Sequence, residues 1–535
     1  MKMFFSYRSL KIILTVTVLL LIISKAQPQN RYWVFFIDKK DVSFDPYEYF
    51  DAKAIERRIK HNIPLSDPTD YPLNKEYKKT VCTIAEQVTS ETRWFNAVAV
   101  IADNIQIEKI NDLPFVKNVR EIVLQTFVTT KDYNCDLSDV QLDLAVKQTE
   151  RMGGNLFKES GIDGTGIRIA IFDGGFPSVD TSPVFEHIRK DGRIIKTRDF
   201  AKKKEFVYGY ISHGTSVMSC IGGKVDTINM GLATGAEFLL ARTEIMNEPF
   251  SEEENWLAAV EWADKNGADI INSSLGYTTN RYFSEDMDGK TSLVVKAANM
   301  AASKGILVVN ANGNEGDGAW EIIGTPADAD SVLSVGGIDP GTDYHISFSS
   351  FGPTTDKRMK PNVCAYGRTV TAGKKKIKIA YGTSFSSPLV AGFAACALQT
   401  NPELTNMELF HEIEKSGHLY PYYDYAHGYG VPQAAYFIEK EAKIISPTFT
   451  IEKEERSVKV IVNDDLTDTN NNDEKYYLFY HISDKEGIIK KYAVIKVYKT
   501  EVLNLYTAGY EEGDILRIHY KGYTDEYTFR KMTND

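Results

Sequence analysis

The chain has 535 residues, a formal net charge of −11, and 43% hydrophobic and 25% charged residues. Its length exceeds what one hydrophobic core organises and suits about three domain-sized units, and its composition is that of an ordinary folded protein. The acidic balance argues against a nucleic-acid partner, which calls for a strongly basic face.

Lys2, Arg8 and Lys11 precede an apolar run over residues 12–23, followed by Ser24, Lys25 and Ala26. A charged start, a short apolar stretch and a small-x-small site read as a secretory signal peptide over residues 1–26. The run is too short to cross about 30 Å of hydrocarbon as a helix. The mature protein is therefore expected to be secreted, extracellular or periplasmic, with no membrane span. The five cysteines, Cys82, Cys135, Cys220, Cys364 and Cys396, are too widely spaced for a disulfide scaffold or a CxxC metal pair. Cys220 and Cys396 lie among small apolar residues and read as packing residues.

Residues 27–128 alternate element types. Strands are expected at 31–37, 96–101 and 116–122, and helices at 49–61 and 105–113. This small α+β unit carries no cluster of catalytic residue types. From 142 to 443 the pattern becomes short apolar strands, at 167–172, 238–241, 269–272 and 306–309, with helices at 252–266 and 293–304. Such strands with helical crossovers imply a parallel sheet buried on both faces, whose carboxyl ends are where functional groups gather. Residues 448–535 read as strands at 457–462, 476–481, 492–498 and 515–520, with an Asp/Asn-rich loop at 463–473; a small β-sandwich is expected.

Three segments of the central unit set a reactive side chain among glycines. Asp173 ends the apolar run 169–172 and precedes Gly174 and Gly175, placed either to orient a histidine or to make a plain Asp-Gly turn. His213, before Gly214 and Thr215, opens a helix of small residues, and Gly214 is expected to keep its ring unobstructed; a lone histidine is more often structural. Ser384 lies in Gly382-Thr383-Ser384-Phe385-Ser386-Ser387-Pro388. Pro388 suits the first turn of a helix, and a serine there is either a cap or a nucleophile beside a helix N-terminus that stabilises negative charge on a bound carbonyl oxygen.

In this chain order the segments resemble the Asp, His and Ser blocks of the subtilase family of serine proteases (peptidase family S8). Residues 267–276, 312–316 and 348–353 resemble further blocks of that family, and Lys360-Pro361-Asn362 stands where Lys-Pro-Asp is usual. Residues 93–122 resemble the end of its inhibitory propeptide. The resemblance implies an α/β fold: a subtilisin-like parallel sheet flanked by helices, preceded by a small α+β prodomain and followed by a C-terminal β-sandwich-like domain. It implies a serine endopeptidase acting on protein or peptide substrates, made as a zymogen that cuts itself between about residues 122 and 142 and keeps its own prodomain as inhibitor. Ser384 would be the nucleophile, His213 the general base and then acid, and Asp173 the orienting carboxylate. Asn314 would donate to the oxyanion with the Ser384 backbone N–H. Ser274, Leu275 and Gly276 would pair with the substrate backbone, with residues 243–254 as the opposite wall.

Two departures stand out: Asp-Gly-Gly where Asp-Thr-Gly is usual, and Ser216 where a second histidine is usual. Neither touches a triad atom. The wall is acidic, with Glu244, Glu248, Glu252, Glu253 and Glu254, and Glu315 follows Asn314; this reads first as a solvated helix start. No cofactor is expected for the chemistry. A structural calcium is compatible with Asp286-Met287-Asp288-Gly289, although the ligands are few and a plain turn accounts for the run. An esterase on the α/β-hydrolase fold is disfavoured, because no Gly-x-Ser-x-Gly elbow surrounds the serine and the serine comes last. An inactive binding module of the same fold is disfavoured by the complete set of reactive residues.

Overall fold

The computed structural model describes residues 30–122, 132–133, 139–245, 251–278, 281–439, 445–453, 457–462, 476–497, 502–506 and 509–530. The signal segment, Cys135, Glu248, the 463–473 loop and most of the 122–142 window lie outside these residues. The chain divides into two compact units, Met1–Tyr49 with Ser66–Gln125, and Phe50–Leu65 with Thr126–Asp535.

The first unit is built on a four-stranded antiparallel sheet in the order Gln87–Thr92, Ala97–Ala102, Asn30–Phe36, Val116–Ile122. Alternation along Asn30–Phe36 sends Tyr32, Val34 and Phe36 into one core with Val98, Val100, Val81 and Ile110. The last two come from the helices Lys75–Ile84 and Asn104–Asn111, capped by Asn74 and by an Asp103–Gln106 capping box. The helix expected at 49–61 is two pieces, Pro46–Tyr49 and Ala52–Lys60, and the second belongs to the other unit. Lys75–Ile84 was not expected because Val81 is its one fully buried residue, too little for a visible apolar face. Gln87–Thr92 is polar and forms on the ladder of its neighbour.

The centre of the second unit is a seven-stranded parallel sheet in the order Val363–Tyr366, Val332–Ile338, Leu307–Ala311, Ile270–Ser273, Arg168–Asp173, Glu237–Arg242, Ile194–Asp199. The helices Ser251–Lys265 and Leu293–Ser303 are crossovers between its strands. The helices His213–Gly222 and Thr383–Thr400 pack on each other, and Thr383–Thr400 is buried all round from Thr383 to Ala397. Small residues permit this: a Cβ on Gly392 would lie 2.9 Å from the Ile221 carbonyl. Cys220, Cys364 and Cys396 are free and buried, and burial pushes the Cys220 thiol up to about 12.

The C-terminal strands form two antiparallel sheets, Phe449–Lys453, Ser457–Val462, Val502–Tyr506, and Ile489–Lys496, Tyr477–Ser483, Ile515–Tyr520, Tyr523–Thr528. They share a core of Phe449, Val458, Val460, Leu478, Leu516 and Ile518. This layer is joined to the central unit by an aromatic seam. Tyr422 stacks on His481 at 5.1 Å and meets Phe479 at 5.7 Å; Tyr423 Oη donates to the Gly487 carbonyl at 2.8 Å and the Tyr425 hydroxyl accepts from Ile489 N–H at 3.2 Å.

Five of the nine histidines, His345, His418, His427, His481 and His519, gather at or near this seam. Burial pushes His345, His481 and His519 down to about 4 and His418 well below the usual range. His427 hydrogen-bonds Asp424 at 3.0 Å. An unfolded chain takes protons on histidine near pH 6.5. Between pH 6.5 and about 4 the unfolded chain therefore holds more protons, and stability falls as pH falls. Thermal melts should show Tm dropping steeply across that interval, and a His481→Asn/His519→Asn variant should show a shallower drop. Equal slopes for the two proteins would contradict this account of the seam.

Candidate active site

Carboxyl ends of adjacent strands bring the reactive groups together. In register, Arg242 stands beside Asp173 and Ser273 beside Phe172, so Asp173, Thr243 and Ser274 emerge at one edge of the sheet. The next strand, Leu307–Ala311, leads to Asn312 and Asn314. That is the crevice at which open α/β sheets hold ligands.

Asp173 is fully buried. One carboxylate oxygen accepts from the Gly174 N–H at 2.7 Å and the other meets His213 Nδ1 at 2.8 Å. His213 begins its helix, with Ser212 as the preceding cap. Gly214 matters for a different reason than ring access. A Cβ there would sit 2.5 Å from the Gly175 carbonyl and 2.9 Å from Asp173 Cβ, so glycine lets the helix close on the aspartate strand. At the position where a threonine is usual, a Cβ on Gly174 would meet Ile211 Cδ1 at 3.0 Å; Ile211 occupies that space. The loop is held instead by Arg242, which donates to the Gly174 carbonyl at 3.1 Å, pairs with buried Asp199 at 3.0 Å and lies 3.6 Å over the Tyr210 ring.

Ser384 is the second residue of Thr383–Thr400, where backbone N–H groups have no intrahelical acceptor. Gly382 turns the chain into this helix with φ 144 and ψ 150, a conformation closed to residues with a side chain. The ring of the following residue, Phe385, lies 5.5 Å from that of His213. The Ser384 hydroxyl donates to the Ser274 carbonyl at 3.3 Å, a long bond that is readily given up. Pro388 falls in the second turn rather than the first. Lacking an N–H, it leaves the Ser384 carbonyl without its helical donor, and Ser274 Oγ donates there at 2.9 Å.

Asn314 is oriented by chemistry. Its side-chain oxygen accepts from the Thr383 N–H at 2.8 Å and from Thr383 Oγ1 at 2.9 Å. A backbone N–H only donates, so the amide oxygen is the atom that faces Thr383 and the NH2 group is directed elsewhere. Ser274 and Leu275 are buried while Gly276 is exposed with open space beside it. Asn310 Nδ2 holds the Leu275 carbonyl at 2.9 Å, and Tyr277 pairs with Thr325. The described part of the 122–142 window, Asp132–Tyr133, pairs with Ile379 and Ala380, not with residues 274–276.

The acidic wall is not a solvated helix start: Glu252 and Glu254 are each 2% exposed. Burial pushes Glu252 up to about 8, and burial, then the charges of Asp173 and Glu252, raise Glu244. Glu315 is raised by burial and by Asp317. The Asp286–Gly289 run is a turn whose carboxylates are engaged: Asp286 accepts from Phe283 N–H at 2.9 Å, and Asp288 from the Lys290 and Thr291 N–H groups at 2.8 Å. Ser216, where a histidine is usual, donates to the Ala372 carbonyl at 2.9 Å and is fully buried.

A polar scaffold that none of the sequence motifs marks lies beneath the serine. Ser387 Oγ donates to Asn272 Oδ1 at 2.9 Å, Asn272 Nδ2 to Ser274 Oγ at 3.1 Å, and Ser274 Oγ to the Ser384 carbonyl. Asn272 and Arg242 are polar residues that follow the apolar runs 270–271 and 238–241, a visible signal of a buried partner.

A profile of the subtilase family matches residues 164–430, and one of the peptidase S8 propeptide domain of Bacteroidota matches residues 31–134. Subtilisin of Bacillus pumilus is 30% identical over 259 residues, 48% of this chain and 85% of the relative. Subtilisin NAT of Bacillus subtilis subsp. natto is 28% identical over 335 residues, 62% of this chain and 77% of the relative.

Because the carbonyl and Cβ that Gly214 faces belong to the Asp173–Gly175 turn, neither can step aside. Gly214→Ala should cost at least about 10²-fold in turnover, through displacement of a positioned group by an ångström or less, while the far-ultraviolet circular dichroism stays unchanged. Wild-type turnover would show that the close approach is not needed.

Proposed function

The chain belongs to the subtilase family of serine endopeptidases, and on that premise we propose that it is a secreted, self-processing zymogen with Asp173, His213 and Ser384 as its catalytic triad. The observation that carries this reading is the 2.8 Å bond from buried Asp173 to His213 Nδ1, beside the helix start that bears Ser384. With Nδ1 held by the carboxylate, proton transfer falls to Nε2 of His213.

A substrate strand lies along Ser274, Leu275 and Gly276 and presents its carbonyl carbon to Ser384 Oγ. His213 takes the hydroxyl proton as Oγ attacks, and Asp173 stabilises the imidazolium without itself becoming protonated. The Asn314 NH2 group and the Ser384 N–H receive the negative oxygen as it develops; being already oriented, they stabilise it with little reorganisation. His213 then protonates the leaving amine, and water enters by the reverse steps to hydrolyse the acyl-enzyme. All these groups belong to the chain, so the chemistry as read needs no cofactor.

Secretion is supported by the charged-apolar-small pattern of residues 1–26, and no helix among the described residues is long and apolar enough to cross a membrane. A propeptide domain ahead of a protease supports a prodomain that inhibits until the chain is cut between about residues 122 and 142. Joining the two on one chain makes the first cut effectively intramolecular, and so independent of protein concentration.

Ser384→Ala should bring casein hydrolysis to background with the fold intact; hydrolysis at the wild-type rate would sink the assignment. Asn314→Ala should lower kcat by about 10²–10³, the scale known for an oxyanion asparagine in subtilisin. In a protease-free preparation, mass spectrometry should find wild-type protein cut within the 122–142 window and Ser384→Ala intact. Normal processing of Ser384→Ala would refute self-cleavage.

A further inference from the structure

Phe50–Leu65 lies inside the stretch matched as propeptide, yet it packs as part of the catalytic unit. Its helix, Ala52–Lys60, carries two adjacent arginines, Arg57 and Arg58, 4% and 0% exposed. Both converge on Asp264 at the end of Ser251–Lys265. Arg58 makes a two-pronged contact, Nη1 to Oδ1 at 3.1 Å and Nη2 to Oδ2 at 2.8 Å. Arg57 bonds the same carboxylate, the Ala268 carbonyl and, at 3.1 Å, the Lys304 carbonyl. The Asp51 N–H donates to the Lys265 carbonyl at 2.8 Å, and the Asp51 carboxylate takes Arg168 at 3.1 Å. Lys53 pairs with Asp269 at 3.0 Å.

The receiving surface is shaped for this helix. Gly267 and Gly305 follow the two helices Ser251–Lys265 and Leu293–Ser303, with φ +70 and +88. A Cβ on Gly267 would lie 2.8 Å from Lys53 Cβ, and one on Gly305 would lie 3.0 Å from His61 Nδ1 and from Ile63 Cδ1. Helix carboxyl ends attract cations, and a buried carboxylate is stable only when paired and hydrogen-bonded. The site is also remote from the chemistry. It touches Arg168, the first residue of the strand whose last residue is Asp173, about 17 Å along the sheet.

We infer that residues 50–65 are a clamp that fastens the prodomain to the enzyme at the far end of the sheet from the triad. The inference rests on residues 31–122 being the enzyme's propeptide. A cut in the 122–142 window then leaves the prodomain attached, because the clamp helix is continuous in sequence with the prodomain on both sides. Activation requires the clamp to open or the prodomain to be cut again. An enzyme stripped of residues 50–65 would hold Asp264 without its two arginines.

The test uses the full chain with Ser384→Ala and a recognition sequence for an exogenous site-specific protease placed between residues 126 and 131. The cut then does not depend on self-cleavage. After cutting, the prodomain fragment should co-elute with the catalytic fragment on size exclusion. An Arg57→Met/Arg58→Met variant should raise the dissociation constant at least about 100-fold, the scale for removing partners from a buried charge. A synthetic peptide of residues 50–65 in excess should speed prodomain loss from the cut wild-type-clamp complex, and a scrambled peptide should not. This second reading decides the matter if the double variant fails to fold. Immediate separation of the cut complex, an unchanged dissociation constant in a folded double variant, or no effect of the peptide would each overturn the clamp. A complex that holds while the active chain fails to cut itself would retire self-cleavage and leave the clamp standing.

Discussion

The proposed active site depends on how closely one helix can lie against the end of one strand. His213–Gly222 reaches Asp173 only because Gly214 has no side chain to meet the Gly175 carbonyl and Asp173 Cβ. Gly175, at φ 143, is itself within 2.3 Å of the Gly209 carbonyl for any added Cβ. These contacts set the 2.8 Å bond from the carboxylate to the imidazole. A shift of one ångström at this seam separates the two groups.

Around that bond the structure supplies order with buried polar contacts. Arg242, paired with Asp199 and lying on Tyr210, holds the carbonyl next to Asp173. The Ser387–Asn272–Ser274 chain ties the serine helix to the end of the Ile270–Ser273 strand and ends on the Ser384 carbonyl that Pro388 leaves open. Thr383 turns Asn314 by donating twice to its oxygen. Such networks are stable only when each member is satisfied, so they resist the small movements that would blunt the proposed oxyanion site. Burial raises the wall carboxyls Glu244 and Glu252, and at Glu244 the charges of Asp173 and Glu252 add to it.

Much of this was legible in the chain. Apolar runs such as 169–172 and 306–309 marked the parallel sheet, since strands buried on both faces admit little else. Asp173, His213, Ser384 and Asn314 stood in glycine-framed blocks whose order resembled a known family. Other features depend on contacts far apart in sequence. Gln87–Thr92 has no apolar pattern and exists through its partner strand. Whether Glu252 meets water is decided by what covers it, and its helix-start context pointed the other way. Nothing local to the 49–61 stretch marks Arg57 and Arg58 as buried, because their partner Asp264 lies more than 200 residues away. The polar residues Asn272 and Arg242, set in apolar surroundings, are the one local signal of their buried partners.

The central claim is that Ser384 is activated by His213. It is tested most directly by treating the processed protein with a serine-directed phosphonate and mapping the adduct by peptide mass spectrometry. The account predicts one adduct, on Ser384, that is lost in His213→Ala while the fold is retained. No adduct on wild-type protein, or an adduct on Ser386 or Ser387 instead, would contradict it.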